Sequence, residues 1–169
     1  TDHGNIDGLI KFQKACKDNG ITPILGCEIY ITPEVNKERS NGHALLLVKN
    51  NKGFKNLCKL LSFANTQGFY YKPRVTYDML LNNYKGLVIS TACVQSFVTS
   101  HKGGIKFTSN LIDAIGNDFY FEVMPNDIKL QKKHNSKIRL QAIKFNKKII
   151  ATNDCHYINK SDWKAQEVL

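Results

Sequence analysis

The chain has 169 residues, of which 42% are hydrophobic and 22% charged, and a formal net charge of +10. That size and balance describe one globular domain with a core of its own. No apolar run reaches the ~18 residues of a membrane span, and five cysteines (Cys16, Cys27, Cys58, Cys93, Cys155) without a CxxC spacing argue against a disulfide framework and for a reducing cytoplasm.

In chain order, Thr1-Asp2-His3 reads as the end of a strand. Residues 7–19 predict a helix, with Leu9, Ile10 and Phe12 apolar and Gly20 as its stop. Residues 23–31 read as a strand, or two broken at Gly26, and 33–42 as a polar loop. A strand over 43–48 leads to a helix over 53–66, then an aromatic and basic loop over 68–74. A short helix over 76–81 and a strand over 87–91 follow, then helical stretches over 94–101 and 105–115 and a strand over 119–124. A helix over 130–146 carries Leu130, His134, Ile138, Ala142 and Phe145 on one stripe. A strand over 148–153 precedes a final helix capped by Ser161, with Asp162 and Glu167 behind it.

Between positions 129 and 148 there are eight basic residues and no acid. This excess permits a polyanionic partner such as nucleic acid. A solvated surface explains it equally well, because lysine far outnumbers arginine (Arg39, Arg74 and Arg139 alone), as an A+T-rich genome would produce.

Strands alternating with helices predict a mainly parallel sheet or barrel, in which ligands bind at the carboxyl ends of the strands. Polar residues that close apolar runs should then converge. They are His3, Glu28 after Ile24 to Cys27, Cys93 after the run from Leu87, and Asp154 and His156 after Ile149 and Ile150. His43 differs, because it opens its run. Strand alternation puts Asp154 and His156 on one face and Cys155 on the other. Six nitrogen, oxygen and sulfur donors exceed the needs of one tetrahedral zinc and suit a polynuclear site. Taken singly each residue has a plainer reading: a histidine as a structural hydrogen-bonder, Cys93 as a small buried apolar residue, Glu28 as a lysine's partner. His101 and His134 fall outside the set, as surface and stripe residues. Tyr70, Tyr71, Lys72 and Arg74 combine aromatics with cations, as a loop that stacks on a nucleic-acid strand would. A packed loop anchored by buried tyrosines fits as well. No GxSxG, P-loop, GxGxxG or zinc-finger spacing competes.

Five segments occur together in one family: Thr1-Asp2-His3-Gly4-Asn5, Gly26-Cys27-Glu28-Ile29-Tyr30, His43-Ala44-Leu45-Leu46-Leu47-Val48-Lys49-Asn50, Gly68-Phe69-Tyr70-Tyr71-Lys72-Pro73-Arg74 and Thr152-Asn153-Asp154-Cys155-His156-Tyr157. Over essentially all its length the chain resembles the PHP (polymerase and histidinol phosphatase) domain, in the form carried by alpha subunits of bacterial DNA polymerase III. The resemblance implies an α/β fold, a distorted (βα)7 PHP barrel. The family opens with a strand bearing a His-x-His pair, so the resemblance makes residues 1–169 a single PHP domain with N-terminal strands missing from this chain. The polymerase palm, fingers and thumb are likewise not part of it. By motif, His3, Glu28, His43, Cys93, Asp154 and His156 match metal ligands, and Asp2 a supporting acid behind them. The implied cofactors are divalent metal ions, zinc or manganese, up to three in a complete domain and fewer here.

The implied parent is a replicative DNA-directed DNA polymerase, a nucleotidyltransferase. This stretch would contribute at most a metal-dependent phosphoesterase or 3′–5′ exonuclease. Its partners would be DNA through the parent polymerase and other replication subunits, with no membrane, in the cytoplasm. Two alternatives stand beside this reading: a free-standing PHP phosphatase acting on a small phosphate ester, and a decayed PHP scaffold for replication subunits.

Overall fold

The structure is a computed structural model that describes residues 1–168. In chain order the elements are β1 (Asp2–His3), α1 (Leu9–Asp18), β2 (Gly26–Thr32), β3 (Gly42–Val48), α2 (Asn51–Thr66), β4 (Phe69–Tyr70), β5 (Lys72–Thr76) and α3 (Tyr77–Asn82). They continue with β6 (Leu87–Ser90), α4 (Phe97–Ser100), α5 (Gly104–Ile115), β7 (Phe119–Val123), α6 (Lys129–Lys144), β8 (Ile149–Ala151) and α7 (Trp163–Gln166). The α/β class expected from the sequence is what forms. The strands make one mixed sheet in the order β4-β5-β2-β3-β6-β7-β8, with β1 paired to β2. Among the described residues β1 and β8 form no ladder, so the sheet curls without closing.

The expected mainly parallel pairing needs a correction. The β1–β2, β2–β5, β6–β7 and β7–β8 pairs are parallel, but β4 runs antiparallel to β5, and β3 antiparallel to both β2 and β6. Parallel neighbours require a crossover of roughly a dozen residues, usually helical. The polar segment 33–41 between β2 and β3 contains no helix, so the chain turns back alongside β2. The first residue of β3 therefore lies at the end where β2 finishes, and this is why His43 opens its run.

Alternation along the strands separates two faces. On β2, Cys27, Ile29 and Ile31 are fully buried, and so are Ala44 and Leu46 on β3. With Ile89, Phe119 and Phe121 they meet Leu57, Leu60 and Ala64 of α2, Phe107 and Leu111 of α5, and Ile138 and Ala142 of α6. The opposite face carries Glu28, Leu45, Leu47 and Glu122, around a cavity of about 550 Å³, with His43 beside it.

Several local expectations are corrected. Residues 68–74 form a hairpin of β4 and β5, not a loop, turning through Tyr71 at φ 60°. Arg74, expected to meet nucleic acid, is 0% exposed. Its guanidinium donates to the carbonyls of Gly68, Asn36 and Glu38 and to Asn36 Oδ1, so it clamps the 33–41 segment and offers nothing to solvent. Helix α1 buries Leu9 and Cys16, one heptad apart, and leaves Ile10 and Phe12 exposed. On α6 Leu130 is exposed, while His134, Ile138 and Ala142 are buried as the stripe requires. Cys58 is half-buried. The last turn is capped by Asn159 in a reciprocal box with Asp162, not by Ser161. β8 stops at Ala151, short of Asp154.

Candidate metal centre

Three side chains meet across β1, β2 and β3. His3 stands opposite Glu28 in the β1–β2 register, and Glu28 is two residues before Tyr30, which pairs with His43 of β3. All three therefore project from one face of the sheet. His43 Nδ1 lies 2.6 Å from Glu28 Oε1 and His3 Nε2 lies 3.8 Å from the same oxygen. One donor atom from each falls within 4.8 Å of the others, with His3 exposed and Glu28 and His43 buried.

Cys93 reaches this group by a backbone device. β6 ends at Ser90, the chain turns through Ala92 at φ 53°, and the His43 amide donates to Gln95 O at 2.8 Å. Cys93 Sγ then lies 3.4 Å from His43 Nδ1 and 3.8 Å from Glu28 Oε1. Asp154 and His156 face the group from beyond β8. Strand alternation does not aim them, since β8 has already ended. The Thr152 amide donates to Val123 O at 3.1 Å, and Asp154 takes a left-handed backbone at φ 51°. Non-glycine residues in that region are uncommon and concentrate at functional sites. Two of them, at Ala92 and Asp154, flank this centre.

His156 Nδ1 donates to Asp154 O at 2.8 Å, which leaves Nε2 as its free lone pair. The His156 ring centre is 5.7 Å from that of His3. Five of the six candidates, all but Glu28, line one cavity of about 310 Å³, and Glu28 lines the adjoining larger one with His3, Asp154 and His156. Asp2 is different. Its carboxylate turns toward Gly8 before α1, and among the described residues it makes no hydrogen bond to any of the six. It lines the larger cavity together with His3, Glu28, Asp154 and His156.

Two residues that sequence reasoning missed also shape the centre. Tyr30 presents its ring to His43 edge-on at 5.1 Å and stacks beside His3 at 6.3 Å, with Lys72 Nζ 5.2 Å over the ring. Glu122 is buried on the same face of the sheet, and Ser90 and Thr152 each donate a hydroxyl to one of its oxygens. A lone acid inside the apolar run 119–124 was the signal for it.

Burial alone would raise the Glu28 carboxyl. The hydrogen bond and charge of His43, with His3 behind it, outweigh burial and hold it below the ordinary carboxylate range. It is an anion at neutral pH. Cys93 is pushed the other way. Burial, reinforced by the Glu28 and Asp154 charges, lifts its thiol to about 12.

The donor set fits a divalent ion. Imidazole, carboxylate and thiol are the ligand types of zinc, and mixed sets of this kind also accept manganese or iron. Ligand atoms around a tetrahedral zinc sit roughly 3.4 Å apart for bonds of about 2.1 Å. The separations of 2.6 to 3.8 Å seen here straddle that value. Without a cation Cys93 remains protonated, so its entry into a ligand set releases a proton. Native protein in EDTA at pH 8 is therefore expected to alkylate Cys155 with iodoacetamide at least ~100-fold faster than Cys93 or Cys27. Peptide mass spectrometry reads this directly, and comparable rates at Cys93 and Cys155 would contradict the buried thiol.

With this geometry in view, comparison with known proteins is informative. The chain is 37% identical to DNA polymerase III subunit alpha of Aquifex aeolicus over 187 aligned positions, with all of this chain and 16% of that protein covered. The corresponding subunits of Chlamydia trachomatis and Borreliella burgdorferi are each 35% identical and cover the whole chain. The chain thus spans about a sixth of the length of these relatives. In fold it is similar to a crystal structure described as a candidate metal-dependent phosphoesterase from Bifidobacterium adolescentis. The TM-score is 0.57 at 13% identity, covering 92% of this chain and 76% of that one. No helix among the described residues is long and apolar enough to cross a membrane. The PHP domain model matches residues 1–126, a stretch that contains His3, Glu28, His43 and Cys93 and ends before Asp154 and His156. On that match the chain belongs to the PHP domain family.

Proposed function

We propose that this chain is the PHP domain of a DNA polymerase III alpha subunit, acting in bacterial replication in the cytoplasm, and that its centre binds zinc or manganese to cleave phosphoesters. The convergence of His3, Glu28 and His43 carries the metal reading. Cys93, Asp154 and His156 complete the proposed ligand set. Bound divalent metal supplies positive charge to a phosphoester oxygen and activates water. The chain's own residues do the rest. The carbonyl of Asp154 fixes the ring of His156 and leaves its Nε2 for a ligand bond, and Glu28 Oε1 lies 2.6 Å from His43 Nδ1, so the two donors sit side by side. Tyr30 packs against His3 and His43, with Lys72 over its ring. Tyr70 and Tyr71 lie on the same hairpin as Lys72 and could meet a nucleic-acid strand there, whereas Arg74 is withdrawn into the fold.

The reading specifies removal of nucleotides from the 3′ end of a strand. The test is a 5′-labelled single-stranded oligonucleotide incubated with the full-length protein and Mn²⁺ or Zn²⁺. Stepwise shortening from the 3′ end, abolished by EDTA and by Asp154→Asn, is expected. Turnover of p-nitrophenyl phosphate with an intact oligonucleotide would favour a small-ester phosphatase. Tight metal without either activity would favour a scaffold for replication subunits.

A further inference from the structure

Beside the candidate metal centre lies a second pocket, of about 170 Å³, lined by Val94, Thr99, Leu130, Lys133, His134 and Lys137. Val94 and Leu130 also line the cavity of His3, His43, Cys93, Asp154 and His156, so the two hollows share a wall. His134 is 5% exposed and its Nε2 is buried without a hydrogen-bond partner. Such an orphaned polar atom costs about 1–3 kcal/mol unless something fills the vacant bond. Burial, with the Lys137 charge, holds the His134 imidazole below its ordinary value, so it is neutral at neutral pH and has one N–H to donate. Lys133 and Lys137 stand one helical turn apart on α6, both exposed. Among the described residues neither is ion-paired, because the nearby acid Asp127 pairs with Lys132.

We propose that this pocket is a phosphate-binding subsite that seats a backbone phosphodiester of a single-stranded nucleic acid and feeds the strand toward the metal centre. Two ammonium groups, the Thr99 hydroxyl and an imidazole match the several acceptor oxygens of a phosphodiester. The volume argues against a whole drug-sized ligand. A pocket that encloses a whole small molecule runs to about 300–1,000 Å³, and this one is smaller. It takes a group and leaves the remainder outside, where the exposed Leu130 offers apolar surface to a sugar or base. The subsite rests on the metal-centre reading for the direction of the strand, but not for its binding.

The test is therefore made without metal. Full-length protein in EDTA is irradiated with a short 4-thiothymidine oligonucleotide, and adducts are mapped by mass spectrometry. Adducts at or beside residues 130–137 are expected in the wild type and with Asp154→Asn. At least a fivefold loss is expected with Lys133→Gln/Lys137→Gln. The same double change should reduce the salt dependence of strand binding by roughly 1.4 in log–log slope, two phosphate contacts at about 0.7 each. Adducts confined elsewhere, or a yield unchanged by the lysine variants, would overturn the subsite. Displacement of the strand by an equimolar concentration of inorganic phosphate would reassign the pocket to free phosphate. Wild-type protein that gives this adduct pattern but shortens no strand with Mn²⁺ or Zn²⁺ would count against the metal reading alone.

Discussion

Arg74→Ala is expected to destabilise the fold by about 3 kcal/mol, and so to lower its thermal midpoint by roughly 6–12 °C for a chain of this size. The guanidinium donates to four acceptors, at 3.2 Å to Gly68 O and Asn36 Oδ1 and at 2.6 Å to Asn36 O and Glu38 O. Hydrogen bonds to a charged group are worth about 1.5–3 kcal/mol each. The 33–41 segment is largely exposed, so some of its carbonyls regain water in the variant, which keeps the expected loss below the sum. Gly68 belongs to the same arrangement, for an ideal Cβ there would lie 1.9 Å from Arg74 O. Arg74→Lys should recover only part of the stability, because a single ammonium cannot reach acceptors arranged for a planar fork. Circular dichroism melts give the midpoint. Limited proteolysis within 33–41 gives a second measure, which should accelerate as the clamp is lost. A change below about 1 kcal/mol would mean that the segment is held by something else.

Arg74 also illustrates where sequence reasoning stops. Arginine beside Tyr70 and Tyr71 has the composition of a nucleic-acid loop, and nothing local reports that six residues and thirty-eight residues upstream lie the carbonyls that bury it. The hairpin was hidden for a related reason. Turn residues at left-handed φ are usually glycine or asparagine, and here the position is Tyr71, whose ring lies 3.8 Å from the Arg39 guanidinium. Where elements are periodic the pattern sufficed. Helices α2 and α5 and strands β6 and β7 are legible from their apolar spacing, which is fixed by burial against one another. Strand direction is not a property of a strand's own residues, so the reversal of β3 had to come from the helix-free connection before it.

The candidate centre was legible because strand ends gather in α/β folds. The residues gather in a different order of closeness from the one their sequence context suggests. Asp154 and His156 follow a well-formed apolar run, yet the tightest group is His3, Glu28 and His43, held by β1, β2 and β3. Neighbouring strands in register put side chains within a few ångströms, whereas Asp154 and His156 depend on a turn beyond β8. Glu122 escaped notice because a single acid in a strand gives no spacing to read. Its partners, Ser90 and Thr152, are hydroxyls from two other strand ends.

Glu28→Gln is expected to weaken metal binding by at least ~100-fold, more than the 10–100-fold that typically follows loss of a residue behind the ligands. Glu28 is 8% exposed and its Oε1 is the atom that His3, His43 and Cys93 all approach. An amide keeps the shape and removes the negative charge that attracts a cation and makes the contact to His43 charge-assisted. The thermal midpoint separates these effects. Metal-free variant should lose about 1.5–3 kcal/mol from the charge-assisted contact. The second effect is read against each protein's own metal-free baseline. With free Zn²⁺ at about 100 times the wild-type Kd, binding stabilises the wild type by about 2.7 kcal/mol, whereas a 100-fold weaker variant gains only about 0.4 kcal/mol. The corresponding upward shifts are roughly 5–11 °C and about 1 °C. Asp2→Asn should retain the full shift, since among the described residues that carboxylate makes no hydrogen bond or ion pair to any of the six donors. A Glu28→Gln protein that still gained several degrees with Zn²⁺ would move the ion away from Glu28, toward Asp154 and His156.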